Sequence, residues 1–287
     1  MIIIFQTFVN GLITSSFYIL LAVGLTLVFG VMNIANFAHG EFFMLGAYAV
    51  WLLYGVSGLP FIVAVLIAAV VVGGFGILSE RVLFRPVQGN VLGGFIVSIG
   101  LVFILQVFVG QVWGVGMAKP VSKVFPGSLK FFGIYVGWQR FIVMPVTAVF
   151  MGVLWIFLNR TRHGRGLRAA AQDSEAAVLQ GISINKSSAI AMGLGSMLVA
   201  AGGALMAPLV SVYPYMGHSV VWTAFVIVIV GGPGNIKGTI LAAFFFGFLH
   251  TIVATVLDST IGNLMGVVFM LIILAIKPEG LMGEEQV

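Results

Sequence analysis

Long runs without a charged residue are the feature of this sequence that most constrains its fold. Asp, Glu, Lys and Arg are absent from residues 1–40, 42–79, 86–118, 141–159, 187–236, 238–257 and 259–276. A helix needs about 20 mostly apolar residues to cross the hydrocarbon core of a bilayer. The sequence therefore predicts a chain that crosses a membrane several times.

The composition leads to the same class of protein. Charged residues make up 7% of the chain, apolar residues make up 61%, and the mean hydropathy is +1.19. Soluble domains carry roughly 25% charged residues, so this chain lacks the charge to cover a soluble surface. The absence of cysteine removes disulfides and thiolate chemistry. The net charge of +5 is too small to indicate nucleic-acid binding.

We expect an all-α integral membrane protein with one membrane-spanning domain over residues 1–287. The predicted count is eight or nine transmembrane helices, because the glycines, asparagines, histidines and prolines within 30–45 and 212–236 favour broken or re-entrant helices. The helices are expected near residues 5–30, 41–57, 60–79, 93–112, 141–158, 187–211, 218–233, 238–256 and 260–276.

The basic residues predict which loops face the cytoplasm. Segment 160–186 holds five of the thirteen Lys and Arg residues, and basic loops favour the cytoplasmic side. That placement puts nine of the thirteen inside, together with the C-terminal tail, and leaves four in an outer loop over residues 112–140. We expect that loop to hold a hairpin or an interfacial helix that docks a partner, or only to cover helix ends. No removable signal peptide is expected.

The loop at 160–186 contains a predicted helical segment. Its alanines favour a helix, Asp173 or Ser174 could divide the segment into two short helices, and Gly181 stands where a helix would end. Its arginines could bind lipid phosphates or acidic side chains. The alternative is a loop whose arginines only fix the topology.

The segment from Asn33 to Glu41 brings two amides, an imidazole and a carboxylate to the end of an apolar helix. Polar groups at membrane depth tend to face protein or a water-filled path. One interpretation is a broken helix at the translocation path or its gate, with Gly40 permitting the bend. The other is a cytoplasmic turn whose polar side chains cap helix ends. Capping is favoured for His39 and Glu41, and the choice stays open for Asn33 and Asn36.

The glycine-rich stretch that begins at Gly231 and Gly232 lacks the Gly-Lys-Ser/Thr ending of a phosphate-binding loop. It predicts no ATP site in this chain. We expect a closely packed turn there, at the cytoplasmic side.

Five groups of residues resemble one family of transporters. Glu175-Ala176-Ala177, with Gly181 four positions after Ala177, matches the loop of ABC importer permeases. The rest of that loop resembles, more narrowly, the branched-chain amino acid permeases of the LivH type. The resemblance runs from about residue 10 to 280, with departures at Pro233 and Lys237. Its other matches are the first-helix signature at 18–41, Glu80-Arg81 with Arg85-Pro86, Ser98 to Leu101, and Ala224-Phe225 through Gly238.

The resemblance implies a transport subunit rather than an enzyme, placed in a bacterial-type inner membrane. Such a permease works by alternating access, with two cytoplasmic ATPase subunits, a second related permease and an extracytoplasmic solute-binding protein. This chain would bind lipid but no cofactor, and ATP and Mg would bind the ATPase subunits. The implied ATPase-coupling residues are Arg162, Gly164, Arg165, Arg168, Ala169, Asp173, Glu175, Ala176, Ala177 and Gly181. The expected path or gate residues are Asn33, Asn36, His39, Gly40, Glu41, Gly231 and Gly232.

Several alternatives stay open at this point. The solute implied is a branched-chain amino acid, although related permeases carry urea, short amides or other amino acids. A channel or secondary transporter working without ATP would need intramembrane ionisable groups or polar rings, and an intramembrane enzyme would need a catalytic constellation in the spans. Glu41 and His250 are poor candidates for ion coupling or a polar pore, and the spans show no catalytic constellation or metal-ligand spacing.

Overall fold

The computed structural model describes residues 2–116, 118–131 and 133–283. Met117 and Phe132 of the predicted outer loop, and residues 284–287 of the predicted cytoplasmic tail, lie outside the described residues. The predicted all-α membrane architecture is confirmed. The helices are α1 Ile2–Met32, α2 His39–Val50, α3 Phe61–Ser79, α4 Val91–Trp113, α5 Trp138–Phe141, α6 Val143–Arg160, α7 Arg162–Gln172, α8 Ser174–Leu179, α9 Ile184–Met206, α10 Gly217–Gly231, α11 Ile236–Val256 and α12 Ser259–Ile276.

Every predicted span has a helical counterpart. Among the described residues, six helices are long and apolar enough to cross a membrane, whereas α10 and α12 are shorter apolar helices. The count of eight or nine spans therefore stays a prediction. A π-helical turn, Trp51–Val56, extends α2, and α3 continues through Glu80–Phe84 and Arg85–Val87. The predicted breaks are present, at 33–38 between α1 and α2 and at 207–216 and 232–235 on either side of α10.

Small residues bring the central helices α1 and α9 together. A Cβ on Gly24 would lie 2.7 Å from the carbonyl oxygen of Gly195, so the two backbones touch. Such contacts between small residues are how helices associate in a membrane, where apolar side chains gain little by leaving lipid. The outer helices expose apolar side chains instead, among them Leu66 of α3, Ile104 of α4 and Val153 of α6.

Of the two structures expected over residues 112–140, the hairpin is present. Strands β1, Ser128–Phe131, and β2, Ile134–Gly137, pair antiparallel. Gln6 of α1 holds β2 in place, because its side chain donates to the Tyr135 carbonyl at 3.1 Å and accepts from the Tyr135 amide at 3.0 Å. From this hairpin end, α6 runs about 27 Å, at 1.5 Å per residue, to the α7 end of the bundle.

Candidate translocation site and coupling loop

Helix α7 is anchored to the end of α6. The Thr161 hydroxyl accepts a hydrogen bond from the Gly164 amide at 3.0 Å and so caps the first turn. Gly164 packs directly on the carbonyl of Phe157, where a Cβ would have no room. Arg168 donates from Nη1 to Oδ1 of Asn159 at 3.0 Å. These contacts fix the direction in which α7 leaves the bundle.

Helix α8 begins and ends as the loop sequence predicts. Of the two candidates for the break, Asp173 is the N-cap: its Oδ1 accepts from the amides of Glu175 and Ala176, both at 2.9 Å. Gly181 ends the helix with φ +76°, a left-handed conformation that costs glycine little. The Ile182 amide returns to the Ala177 carbonyl at 3.0 Å. The loop is therefore a defined pair of short helices.

Most of the predicted coupling residues lie on the outside of this pair. Gly164 and Ala177 are buried and Ala169 is half-buried, because these small residues face the bundle. Apolar side chains that the sequence reasoning did not single out sit beside them, with Leu179 87% exposed. The signal that could have found Leu179 is an apolar residue in the last turn of a polar loop. The exposed members of the predicted set are Arg162, Arg165, Arg168, Asp173, Glu175, Ala176 and Gly181.

The last turn of α7 packs against the last turn of α1. The Cβ of Ala171 lies 3.6 Å from where a Cβ on Gly30 would stand, and the Cα of Gly234 lies 2.8 Å from the same point. Gly234 belongs to the turn between α10 and α11, which needs positive φ at Gly232, +97°, and at Gly234, +81°. The α7–α8 loop thus packs on the end of α1, which in turn contacts the turn between α10 and α11.

The glycine-rich turn is closely packed, as predicted. A Cβ on Gly231 would lie 2.6 Å from the backbone of Thr239, and the Asn235 side chain caps α11 by accepting from the Gly238 amide at 3.0 Å. The same asparagine donates to the Met282 carbonyl at 2.7 Å, which holds the described part of the tail at the α7 end. Gly231 and Gly232 are therefore about 20 Å, the length of α10, from the polar residues at 39–41.

The chain turns back into the bundle after α1. Asn33 ends the helix with φ +50°, a conformation that asparagine tolerates better than most residues. Residues 33–36 have no helical structure, and Asn36 organises the turn into α2: its Oδ1 accepts from the Ala38 amide at 3.0 Å. The Asn36 amide group lies 3.5 Å from the sulfur of Met192, within α9.

Helix α2 begins deep inside the bundle. His39 donates from Nε2 to the carbonyl oxygen of Leu21 at 3.0 Å, because a carbonyl can only accept. Leu21 lies 11 residues before Met32, a rise of about 16 Å from the end of α1. Irregular backbone at membrane depth occurs where protein buries it or where it lines a water-filled cavity. The broken helix of the first interpretation is present in the structure.

The capping interpretation of His39 and Glu41 is wrong. The residue before α2 is Ala38, and no side chain caps that helix. His39 instead bonds α1, and Glu41 is buried. The expected bend at Gly40 is also wrong, since Gly40 is helical and packs on the carbonyl of Gly217 in α10. The bend lies earlier, at Asn33.

Glu41 belongs to a buried polar cluster with two residues from distant helices. It is 2% exposed, and its Oε1 accepts from Nε2 of Gln106 at 2.8 Å. The same Gln106 nitrogen lies 2.9 Å from Nε2 of His218, which is exposed. Within the part of the chain that the structure describes, Oε2 of Glu41 has no hydrogen-bond partner. The sequence reasoning missed Gln106, whose signal is an amide in the middle of an apolar helix.

A comparison with protein families identifies the chain. The family model described as branched-chain amino acid transport system, permease component, matches residues 7–276. The chain belongs to this family. The match to the branched-chain permease family includes the α7–α8 loop, the segment from Asn33 to Glu41, Gln106 and His218.

Individual permeases are also similar to this chain in sequence. The chain is 30% identical to the high-affinity branched-chain amino acid transport system permease protein BraD of Pseudomonas aeruginosa, covering 98% of this chain and 96% of BraD. It is 29% identical to the permease protein LivH of Escherichia coli, with the same coverage. A more distant match, 31% identical over 46% of this chain and 44% of the relative, is the E. coli ribose import permease protein RbsC.

One solved structure has a similar fold. PsaBC from Streptococcus pneumoniae, in complex with a Fab, matches 95% of this chain and 92% of its own chain with a TM-score of 0.53. Its sequence identity of 16% limits the likeness to the fold. Within residues 2–116, 118–131 and 133–283, no group of three His, Cys, Asp or Glu side chains is placed to hold a metal ion.

Proposed function

We propose that this chain is the membrane-spanning subunit of a binding-protein-dependent ABC importer for branched-chain amino acids. The observation that carries the proposal is the contact between the exposed α7–α8 loop and the end of the broken helix, made by Ala171 and Gly30. A partner that moves the loop would move the point where α1 stops and the chain re-enters the bundle. Family membership supports the same assignment.

Two ATPase subunits dock on the loop in this proposal. Glu175, Ala176 and Leu179 form its exposed tip, and the arginines of α7 flank it. ATP and Mg bind to those partners, which is consistent with the missing Gly-Lys-Ser/Thr ending after Gly231. ATP-driven closure then shifts the equilibrium between outward-open and inward-open states, because the ATPase pair binds the two states with different affinity. This chain contributes transport and no hydrolysis.

The proposed orientation follows from the two ends of the bundle. The α7 end and the C-terminal tail face the cytoplasm, and the hairpin end faces the solute-binding protein outside the inner membrane. A cavity of about 530 Å³ beside the hairpin, lined by residues that include Phe125, Trp138 and Phe141, offers an apolar docking surface there. A second, related permease completes the pathway, lipid surrounds the pair, and residues 1–287 act as one domain without nucleic acid.

The solute proposed is a branched-chain amino acid, with urea, short amides and other amino acids as the alternative within the same architecture. The relatives that match over nearly the whole chain are named for branched-chain amino acid transport, whereas the ribose permease matches less than half of it. An ATP-independent secondary transporter is the second candidate function. It is favoured by one observation, the buried carboxylate of Glu41, because ion-coupled carriers place ionisable groups at that depth.

Uptake into proteoliposomes tests these proposals. The complex would contain this chain, the second permease and the ATPase subunits, with binding protein outside and ATP inside. We expect leucine uptake that requires both ATP and binding protein. Uptake of urea or an amide alone would retain the architecture and change the solute. Uptake that ignores ATP and follows a proton or sodium gradient would overturn the importer and favour the second candidate.

A further inference from the structure

An aromatic cluster joins the re-entrant segment to α4 and α10. Phe37 lies at its centre, with ring centroids 5.3 Å from Phe95 of α4, 5.8 Å from Trp222 of α10 and 4.7 Å from Phe225. Phe37 is half-buried and Trp222 is 60% exposed. The aromatic side chains therefore line an accessible apolar surface.

The polar cluster of Glu41, Gln106 and His218 connects the same three elements. Glu41 follows Phe37 by four residues, Gln106 lies on α4 beyond Phe95, and His218 begins α10 one turn before Trp222. Residues three or four apart on a helix share a face. His218 and Trp222 therefore lie on the same face of α10, where the polar cluster and the aromatic cluster are neighbours.

Glu41 lacks a cationic partner. Among the described residues no cationic side chain pairs with Glu41, so its buried carboxylate relies on Gln106. A buried carboxylate is costly unless it is paired. Its place in the first turn of α2 favours the anion through the helix dipole. The site is therefore suited to a cation that bonds Oε2.

The exposed face of α10 differs from the lipid-facing surfaces. His218 and Ser219 are exposed near its start, whereas α4 exposes Ile96, Phe103 and Val107 on its outer face. Polar side chains in contact with hydrocarbon are costly and tend to face protein or a water-filled cavity. The cluster accordingly opens toward a pathway rather than toward lipid.

We propose that Glu41, Gln106 and His218 bind the ammonium and carboxylate groups of an α-amino acid during its passage. The ammonium bonds Glu41. His218 turns away from Gln106, and the solute carboxylate then accepts from the freed Gln106 N–H and from the ring N–H of His218. The aliphatic side chain packs on Phe37, Phe95 and Trp222. This inference rests on the proposed function and adds the site that selects a zwitterion, because urea or an amide would leave the Glu41 charge uncompensated.

The test uses the full complex in proteoliposomes and compares leucine uptake with ATP hydrolysis stimulated by leucine-loaded binding protein. For Glu41→Gln we expect leucine uptake to fall at least tenfold, with stimulated hydrolysis within twofold of the unmodified complex. Thr223→Ala, on α10 beside Trp222 and with its hydroxyl bonded to the Ser219 carbonyl of its own helix, is the matched control and should retain both rates. Leucine uptake by Glu41→Gln at the unmodified rate would overturn the inference.

A second variant, His218→Ala, tests the site if the complex with Glu41→Gln fails to assemble. Because His218 is exposed, its replacement should disturb the packing of the helices less. We expect its leucine uptake to fall about fivefold with assembly intact, and unchanged uptake would overturn the site. Failure of the proposed function has a different result: the unmodified complex would then import no leucine with ATP and loaded binding protein. If the unmodified complex imported urea in place of leucine, the proposal of an ATP-driven importer would be retained and the proposed amino-acid site would be rejected.

Discussion

The backbones of Gly30 and Gly234 are in direct contact at the α7 end: a Cβ on Gly30 would lie 2.8 Å from the Cα of Gly234. This contact joins the last turn of α1 to the turn between α10 and α11. The α7–α8 loop packs beside it through Ala171. Three parts of the chain that are far apart in sequence therefore meet at this point. A side chain on either glycine would have to displace the backbone of the other.

We expect Gly30→Ala to destabilise the protein. The added methyl group must displace the Gly234 backbone, and overpacking of this kind costs about 1–3 kcal/mol. The measurement is the thermal unfolding midpoint of the detergent-solubilised protein. Gly100→Ala is the control, since nothing lies within 4 Å of a Cβ there and alanine favours helix. Equal midpoints for the two variants would contradict the proposed contact.

Gly181 should tolerate asparagine and reject valine. At φ +76° a β-branched residue is strained, by about 1–2 kcal/mol, whereas asparagine adopts this conformation more readily. We expect Gly181→Val to reduce ATP-dependent uptake while the subunit remains in the membrane. Gly181→Asn should transport nearly normally. Normal transport by Gly181→Val, or by Gly181→Arg, would count against a coupling role for the end of α8.

Removing the Asp173 cap should loosen α8. Asp173→Ala leaves the amides of Glu175 and Ala176 without the carboxylate at 2.9 Å, a loss of about 1 kcal/mol for an N-cap. Hydrogen exchange of the α8 amides should then become about fivefold faster. Asp173→Asn retains an acceptor and should exchange like the unmodified protein. Unchanged exchange in Asp173→Ala would mean that another group caps α8.

The donor in the hydrogen bond between Thr26 and Thr239 can be assigned, and the assignment predicts which of the two threonines is costlier to replace. Thr26 and Thr239 lie 2.6 Å apart through their buried hydroxyls, and Thr239 donates its hydrogen to the Asn235 carbonyl at 2.9 Å. Thr26 must therefore donate to Thr239. We expect Thr239→Val to cost more stability than Thr26→Val, by about 1–3 kcal/mol, because it leaves the Thr26 donor unpaired. Thermal unfolding of both variants checks the order, and the opposite order would reverse the assigned donor.

Asn36 should affect transport more than assembly. Asn36→Ala loses the bond to the Ala38 amide that shapes the re-entrant turn, so we expect ATP-dependent uptake to fall at least threefold. Asn33→Gly keeps the φ of +50° at no cost, so a loss of uptake in that variant would come from the missing amide and not from the shape of the turn. If Asn36→Ala imports leucine at the unmodified rate in a normally assembled complex, the turn has no part in transport.

Much of the fold could be predicted because its signals are local. A run without charge, an aspartate at the start of a short helix and a glycine at its end each act within one or two turns, so the helices and the division at Asp173 agree with the sequence. The bend was predicted in the right segment but at the wrong residue. Gly40 looked like a hinge, yet its missing side chain serves the contact with Gly217.

The polar cluster could not be predicted in the same way. Glu41, Gln106 and His218 come from three helices separated by 65 and 112 residues. No periodicity within one helix reveals which distant side chain will satisfy a buried carboxylate. His39 shows the same limit, since its partner is a main-chain carbonyl in the middle of α1. The three-dimensional packing of the re-entrant segment decides these pairings.

The close backbone contacts that α2 makes with α9 and α10 determine how α2 can move. Gly40 and Gly217, Gly46 and Ala200, and Phe43 and Gly203 meet backbone to backbone. A seam of this kind resists separation, since the close contact has much dispersion energy to lose. The same contacts oppose sliding of α2 along its axis only weakly, because few side chains would have to change rotamer. Shear of α2 between α9 and α10, without any widening of the bundle, is the displacement that this packing permits most readily.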